Sequence, residues 1–111
     1  MMSQLRGGEH QVEVVLAWAG DVDWQATGRL REALFHGLEV TGQTGVRLDV
    51  RAVTSIGRGG VALLIGANHR ASAVGRRLLI VDSNGPVTAA LAALHLLPAV
   101  DITQVIAGGH V

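Results

Sequence analysis

Along the chain, segments whose hydrophobic residues have the spacing of a β-strand are followed by segments that have the spacing of an α-helix. Each change from one spacing to the other marks the start of a new predicted element. Residues 11–19 begin with alternation and then become continuously apolar, which is typical of a strand buried on both faces. Residues 46–50, 78–81 and 102–106 are three further short segments rich in β-branched and aliphatic residues, and the first of them alternates between apolar and charged positions. The pattern therefore predicts four strands at regular intervals.

Residues 25–41 change to the helical period. Leu30, Leu34 and Leu38 recur every four positions, and charged residues occupy much of the remaining surface. Asp23 is the predicted N-cap, since its carboxylate can accept from backbone N–H groups two or three residues further on. A helix is therefore predicted after the first strand.

Two further helices are predicted between the remaining strands. One covers residues 60–74 and ends at Gly75, in a position that glycine favours after a helix. The other covers residues 87–97, with Pro86 in its first turn and Pro98 closing it.

The predicted order is β(β)αβαβαβ, where the bracketed strand is a short edge strand at residues 3–6. Strands that alternate with helices imply βαβ units, a largely parallel sheet and right-handed crossovers. We therefore expect one α/β domain over residues 1–111, with a core at about 11–106. Its mixed, largely parallel sheet would have four to five strands, with helices packed on it.

The composition narrows the classes of function. Apolar residues make up 49% of the chain and charged residues 16%, which excludes a disordered protein. The formal net charge is zero, so the basic field that nucleic-acid binding needs is missing. A neutral domain tends to self-associate, which permits a homodimer. With no cysteine and no apolar run near 18 residues, we expect a cytoplasmic protein without membrane insertion.

The candidate chemistry is sparse. The five histidines have no two at ligand spacing, so no metal site and no cofactor is predicted. No nucleophile, base and orienting group fall into a known catalytic pattern, so we expect no enzyme. The turn of Gly57, Arg58, Gly59 and Gly60 could bind an anion at a helix start or be a tight turn, and the sequence leaves both open.

Several segments resemble STAS domains, the family of the anti-sigma factor antagonists. Residues 20–34 resemble the family's GELDLATAPRLREAL stretch, and residues 46–56 are similar to its VVLDLSGVTFI. Residues 60–64 fall on its GLAAL, and residues 75–81 on its GRRLVLV. The resemblance covers about residues 11–106, and its element order agrees with the one predicted above.

The resemblance implies a protein-binding regulator of bacterial signalling and transcription, with one departure. In the family, the turn reads D-S-S-G, and a partner kinase phosphorylates a serine there. Here Gly57 occupies the aspartate position, Arg58 and Gly59 the two serine positions, and Gly60 the glycine position. We therefore expect no phosphosite and no phosphorylation switch in this turn.

The resemblance also implies a partner-binding surface. We expect it to comprise the turn, the loop before the first helix, the end of the second strand and the exposed face of the second helix. Its predicted residues are Asp21, Asp23, Thr54, Ser55, Gly57, Arg58, Gly59, Gly60 and Asn68.

Three kinds of partner remain open from the sequence. The first is an anti-sigma factor or similar kinase-like protein. The second is an ATPase, since STAS domains also serve as accessory subunits of ABC-type lipid transporters. The third is an anion or nucleotide that the domain would sense at the start of the second helix.

Overall fold

The computed structural model describes residues 12–106, in which strands and helices alternate strictly. In chain order the elements are β1 (Val12–Val22), α1 (Trp24–Glu39), β2 (Gln43–Ile56), α2 (Arg58–Ala73), β3 (Arg77–Asp82), α3 (Pro86–Ala93), a short 3-10 helix (Leu97–Ala99) and β4 (Asp101–Gln104).

The four strands form one sheet in the order β1-β2-β3-β4, and every neighbouring pair is parallel. The predicted α/β class and the alternating order are confirmed. Each crossover advances one strand in the same direction, so right-handed crossovers place all three helices on one face. The edge strand predicted at residues 3–6 lies outside the described residues.

The core lies between that face and the helices. It joins alternate residues of the central strands, such as Val46, Leu48 and Ile80, with apolar residues of all three helices. On the opposite face Val15 is 66% exposed, and Arg47 forms an ion pair with Glu13. The prediction that the first strand is buried on both faces is therefore wrong, because the helices cover one face of it.

The first two strands are longer than predicted. The sequence predicts that the first strand covers residues 11–19 and the second residues 46–50, yet β1 continues to Val22 and β2 runs unbroken from Gln43 to Ile56. Gly20 has a positive φ of 76°, and shifts in register between the two strands absorb the irregularity. Pairing between the two long strands thus continues β1 past Gly20, where the local sequence predicts that the strand has ended.

The third helix is shorter than predicted. It ends at Ala93 rather than near residue 97, because His95 adopts a positive φ of 58° and turns the chain away. The Leu96 N–H group then donates to the Leu91 carbonyl, which closes the helix end. The last strand, Asp101–Gln104, starts and ends slightly earlier than the predicted residues 102–106.

The predicted helix ends are otherwise close to the observed ones. Asp23 caps α1 as predicted, since its carboxylate accepts from the Ala26 N–H group at 2.9 Å. Gly75 follows α2 with a positive φ of 72°, as expected for a glycine after a helix. α2 begins at Arg58, two residues before its predicted start, so the glycine turn belongs partly to the helix.

Candidate functional site

Three predicted site residues meet where β1 and β2 end. Asp21 and Ser55 are partners in the parallel register, and Thr54 precedes Ser55 on the same strand. The Thr54 hydroxyl donates to the Asp21 carboxylate at 2.6 Å, and the Ser55 hydroxyl donates to the same oxygen at 2.9 Å. We call these three side chains the hydroxyl clamp.

The hydroxyl clamp is exposed, and it changes the acidity of its carboxylate. The bond from Thr54, and then that from Ser55, lowers the pKa of Asp21, because both donors favour the charged form. A carboxylate with a lowered pKa is a weaker base. The arrangement therefore suits joining the ends of two strands better than activating a hydroxyl nucleophile.

The start of α2 is attached to the same edge through its backbone. The Gly57 N–H group donates to the Val22 carbonyl at 3.2 Å. Gly60 is buried, and a Cβ atom there would lie 2.7 Å from Ile56 Cγ1 and 2.9 Å from Val22 Cγ1. Glycine at position 60 thus lets the helix start pack directly against the ends of both strands.

In the described part of the chain, no side chain caps the start of α2. Gly57 is the N-cap residue and forms no side-chain capping bond, and the first turn contains no acidic residue. Arg58, the first residue of the helix, is exposed, and within residues 12–106 it forms no ion pair. Gly59 beside it is also exposed. An arginine without an ion pair in the described residues therefore stands at a helix start where the N-cap residue forms no side-chain bond.

The chain next to this edge contributes an acidic residue, Asp23, and an aromatic residue, Trp24, which is the first residue of α1. Asp23 is exposed, but its carboxylate is engaged in capping α1, and its carbonyl accepts from the Thr27 hydroxyl at 2.8 Å. Trp24 follows it and is 81% exposed. Trp24 was not among the predicted site residues. Its position outside the apolar stripe of the helix could have indicated an exposed aromatic residue available for binding.

Asn68 lies apart from the other predicted site residues. It is ten residues beyond Arg58 on α2, about 15 Å along the helix axis. The sequence analysis placed it on an exposed face, but it is half-buried and its amide donates to the Ala99 carbonyl at 3.0 Å. The structure thus gives it a contact that joins α2 to the 3-10 helix.

We call the group of Asp21, Thr54, Ser55, Gly57, Arg58, Gly59 and Gly60 the carboxyl-edge site. Asp23 lies at its border. All nine predicted residues belong to the described part of the chain, and Asn68 is the one that lies far from this site in space.

The described residues contain neither a metal-binding cluster nor a membrane-spanning helix. Within residues 12–106, no three histidine, cysteine or acidic side chains come together in a way that could hold a metal ion. In the same part of the chain, no helix is long and apolar enough to cross a membrane.

Comparison with known proteins identifies a family. Residues 6–97 match the family model described as "Mlab, STAS domain". The match contains every residue of the carboxyl-edge site. No curated protein sequence matches the chain significantly.

Proposed function

The chain belongs to the STAS domain family, and we propose that it regulates a partner protein by docking through the carboxyl-edge site. Domains of this family are in general non-catalytic binding modules. We propose the same for this chain and assign no catalytic residue or cofactor to it. The observation that carries the proposal is Arg58, exposed and without an ion pair in the described residues, at the open start of α2.

The hydroxyl clamp supports a binding role. Thr54 and Ser55 both donate to Asp21, so their oxygens are held at fixed positions on the exposed edge. Fixed polar groups lose little conformational entropy when a partner binds, which favours affinity. The clamp therefore suits a preformed docking surface.

The turn supports regulation without phosphorylation. Residues 57–60 carry no hydroxyl group, and Arg58 places a positive charge where a phosphoserine would place nearly two negative charges. Thr54 and Ser55 lie beside the carboxylate of Asp21, which would repel an added phosphate. We propose that binding is constitutive or is controlled through the partner.

The first candidate partner is a cytoplasmic anti-sigma factor or another kinase-like protein. The second is an ATPase, with the chain as accessory subunit of an ABC-type lipid transporter. The glycine-rich turn favours the second as strongly as the first, because an accessory subunit needs a docking surface and no phosphoacceptor. Co-purification with an ATPase or with a kinase-like protein distinguishes the two.

The decisive variant is Arg58→Asp. A carboxylate at the first position of α2 is favoured by the helix dipole, so the variant is expected to fold at least as stably as the wild type. We expect capture of the partner from native cells to fall about tenfold or more, as when a charge at the centre of an interface is reversed. Quantitative pull-down with mass spectrometry measures this.

The matched control is Arg31→Asp, which reverses an exposed arginine of α1 and should leave capture unchanged. Equal capture by wild type and Arg58→Asp would rule out the carboxyl-edge site as the docking surface. Transfer of phosphate from ATP to residues 54–60 by the captured partner would contradict the absence of a phosphorylation switch.

A further inference from the structure

An apolar groove runs along α2 beside the carboxyl-edge site. It has a volume of about 620 Å³ and lies between α2 and the segment that follows α3. Its lining includes Arg58, Ala62, Ile65, Gly66, Leu94 and Leu96. We call it the α2–α3 groove. Arg58 belongs both to this groove and to the carboxyl-edge site, so the two surfaces are continuous.

The early end of α3 forms one wall of the groove. Because His95 adopts a positive φ, the chain leaves the helix between Leu94 and Leu96. Leu94 remains 45% exposed, while Leu96 packs partly against the core. The large apolar side chain of Leu94 therefore lies at the rim of the groove, where it is only partly buried and contributes little to the stability of the domain.

The floor of the groove contains a glycine that the chain itself does not require. A Cβ atom at Gly66 would meet no other atom within 4 Å, and its φ is not positive. Glycine inside a helix is less stable than alanine, so this position weakens α2 without any gain from packing inside the described chain. Together with Ala62 one turn earlier, it allows the backbone of another helix to approach closely.

The charge of the groove indicates what kind of helix would fit. Arg58 is the one charged residue in the groove lining, and α2 contains no acidic residue. The positive end of the α2 dipole lies at the same end of the groove. An occupant with an aspartate or glutamate over Arg58 and apolar side chains over Ile65 and Leu94 would complement it.

We propose that the α2–α3 groove binds a helix of the partner protein, amphipathic and acidic at the end that lies over Arg58. This inference rests on the proposed function and specifies how the partner is recognised. Helix-in-groove recognition uses apolar anchors at helical spacing, with charge fixing the orientation.

Site-specific crosslinking in the native cells tests the identity of the occupant. The photoreactive residue p-benzoylphenylalanine replaces Leu94 at the exposed rim of the groove, and in parallel Trp24 near the carboxyl-edge site. We expect both positions to crosslink to the same partner. The peptide attached at position 94 should come from an amphipathic helix that contains aspartate or glutamate.

Other results at position 94 overturn the inference. These are a crosslink to a second copy of this chain, to a non-helical or basic segment, or to no protein. If position 24 still crosslinks to the partner, the proposed function survives and only the groove inference fails. If neither position crosslinks, both fail.

Substitution of Gly66 tests the same inference by affinity. Gly66→Leu projects a side chain into the groove from a position where a Cβ atom meets no other atom within 4 Å, and should weaken binding of the captured partner about tenfold or more. Its melting temperature should not fall, since leucine favours helix over glycine. The control is Ala33→Leu, an exposed change on α1 that should leave affinity unchanged.

The pattern across variants separates the two proposals. Loss of binding in Arg58→Asp with full binding in Gly66→Leu would leave the docking site standing and refute the groove. If an acidic residue of the crosslinked helix is changed to lysine, binding to Arg58→Asp should be restored. Absence of that rescue would refute the assigned orientation.

Discussion

The starts of α2 and α3 occupy equivalent places after parallel strands, yet they are built in opposite ways. At α3 the fully buried Asp82 accepts from the Ser83, Gly85 and Thr88 N–H groups and from the Thr88 hydroxyl. At α2 no side chain caps the helix. The polar groups of one helix start are used within the domain, whereas those of the other remain available.

The two starts are also fixed by different forces. Hydrogen bonds to a buried carboxylate hold α3, whereas close packing of Gly60 against Ile56 and Val22 holds α2. Packing holds α2 in place without occupying its N–H groups or covering Arg58. The comparison explains why we assign recognition to α2 and stability to α3, although both helices follow strand ends of one sheet.

The largest expected effect comes from removing the buried carboxylate. Asp82→Ala leaves three N–H groups and a hydroxyl of half-buried residues without their acceptor, and should lower the free energy of unfolding by about 3 kcal/mol. Urea denaturation measures the loss. Asp101→Ala removes an exposed carboxylate paired with Arg77 and should cost less than about 1 kcal/mol. If the two variants lost the same free energy of unfolding, the buried Asp82 would contribute no more to stability than an exposed carboxylate.

A smaller effect is expected from crowding the start of α2. Gly60→Ala brings a methyl group within 3 Å of Ile56 and Val22, and should destabilise the domain by about 2 kcal/mol. Gly59→Ala makes an ordinary contact with Thr27, at 3.7 Å, and gains helix propensity. We therefore expect its thermal midpoint to stay level or rise. A Gly60→Ala protein as stable as the wild type would mean that packing does not fix this helix start.

Much of the fold follows from local pattern. The change between strand and helix periods predicts the order of the elements, and Asp23 and Gly75 predict helix ends because capping acts over a few residues. The length of β1 could not be predicted in the same way. Its extension through Gly20 depends on pairing with β2, and pairing partners are not written in either segment alone.

The candidate site is predictable only in part, for the same reason. Asp21, Thr54 and Ser55 were selected from family resemblance, but their bonds depend on the register that places Asp21 beside Ser55. Asp82 was not predicted to have any role, although its buried carboxylate accepts four hydrogen bonds. The exposure of Leu94 follows from the conformation of His95, which the helical pattern of residues 87–97 conceals.

The smallest expected effect concerns Asp21, the exposed counterpart of Asp82. Both carboxylates lie at the end of a strand and accept from a threonine hydroxyl, but Asp21 is exposed to water. In Thr54→Val with Ser55→Ala, the pKa of Asp21 should rise towards its ordinary value, because both donors that favour the charged form are gone. NMR titration of the side-chain carboxyl carbons follows this directly. Asp49 is an internal control, since Arg51 and not the clamp lowers the pKa of that carboxyl.

The sign of the accompanying pH dependence follows from the lowered pKa. A carboxyl with a pKa below its unfolded value contributes stability above the unfolded pKa, and loses it as pH falls through the folded pKa. The wild type should therefore exceed the double variant in stability at pH 6, and the difference should shrink towards pH 3. Thr54→Val alone should raise the pKa of Asp21 more than Ser55→Ala alone, since the Thr54 bond is the larger cause. An unchanged Asp21 titration in the double variant would refute the hydroxyl clamp, and with it the view that this edge is preformed for a partner.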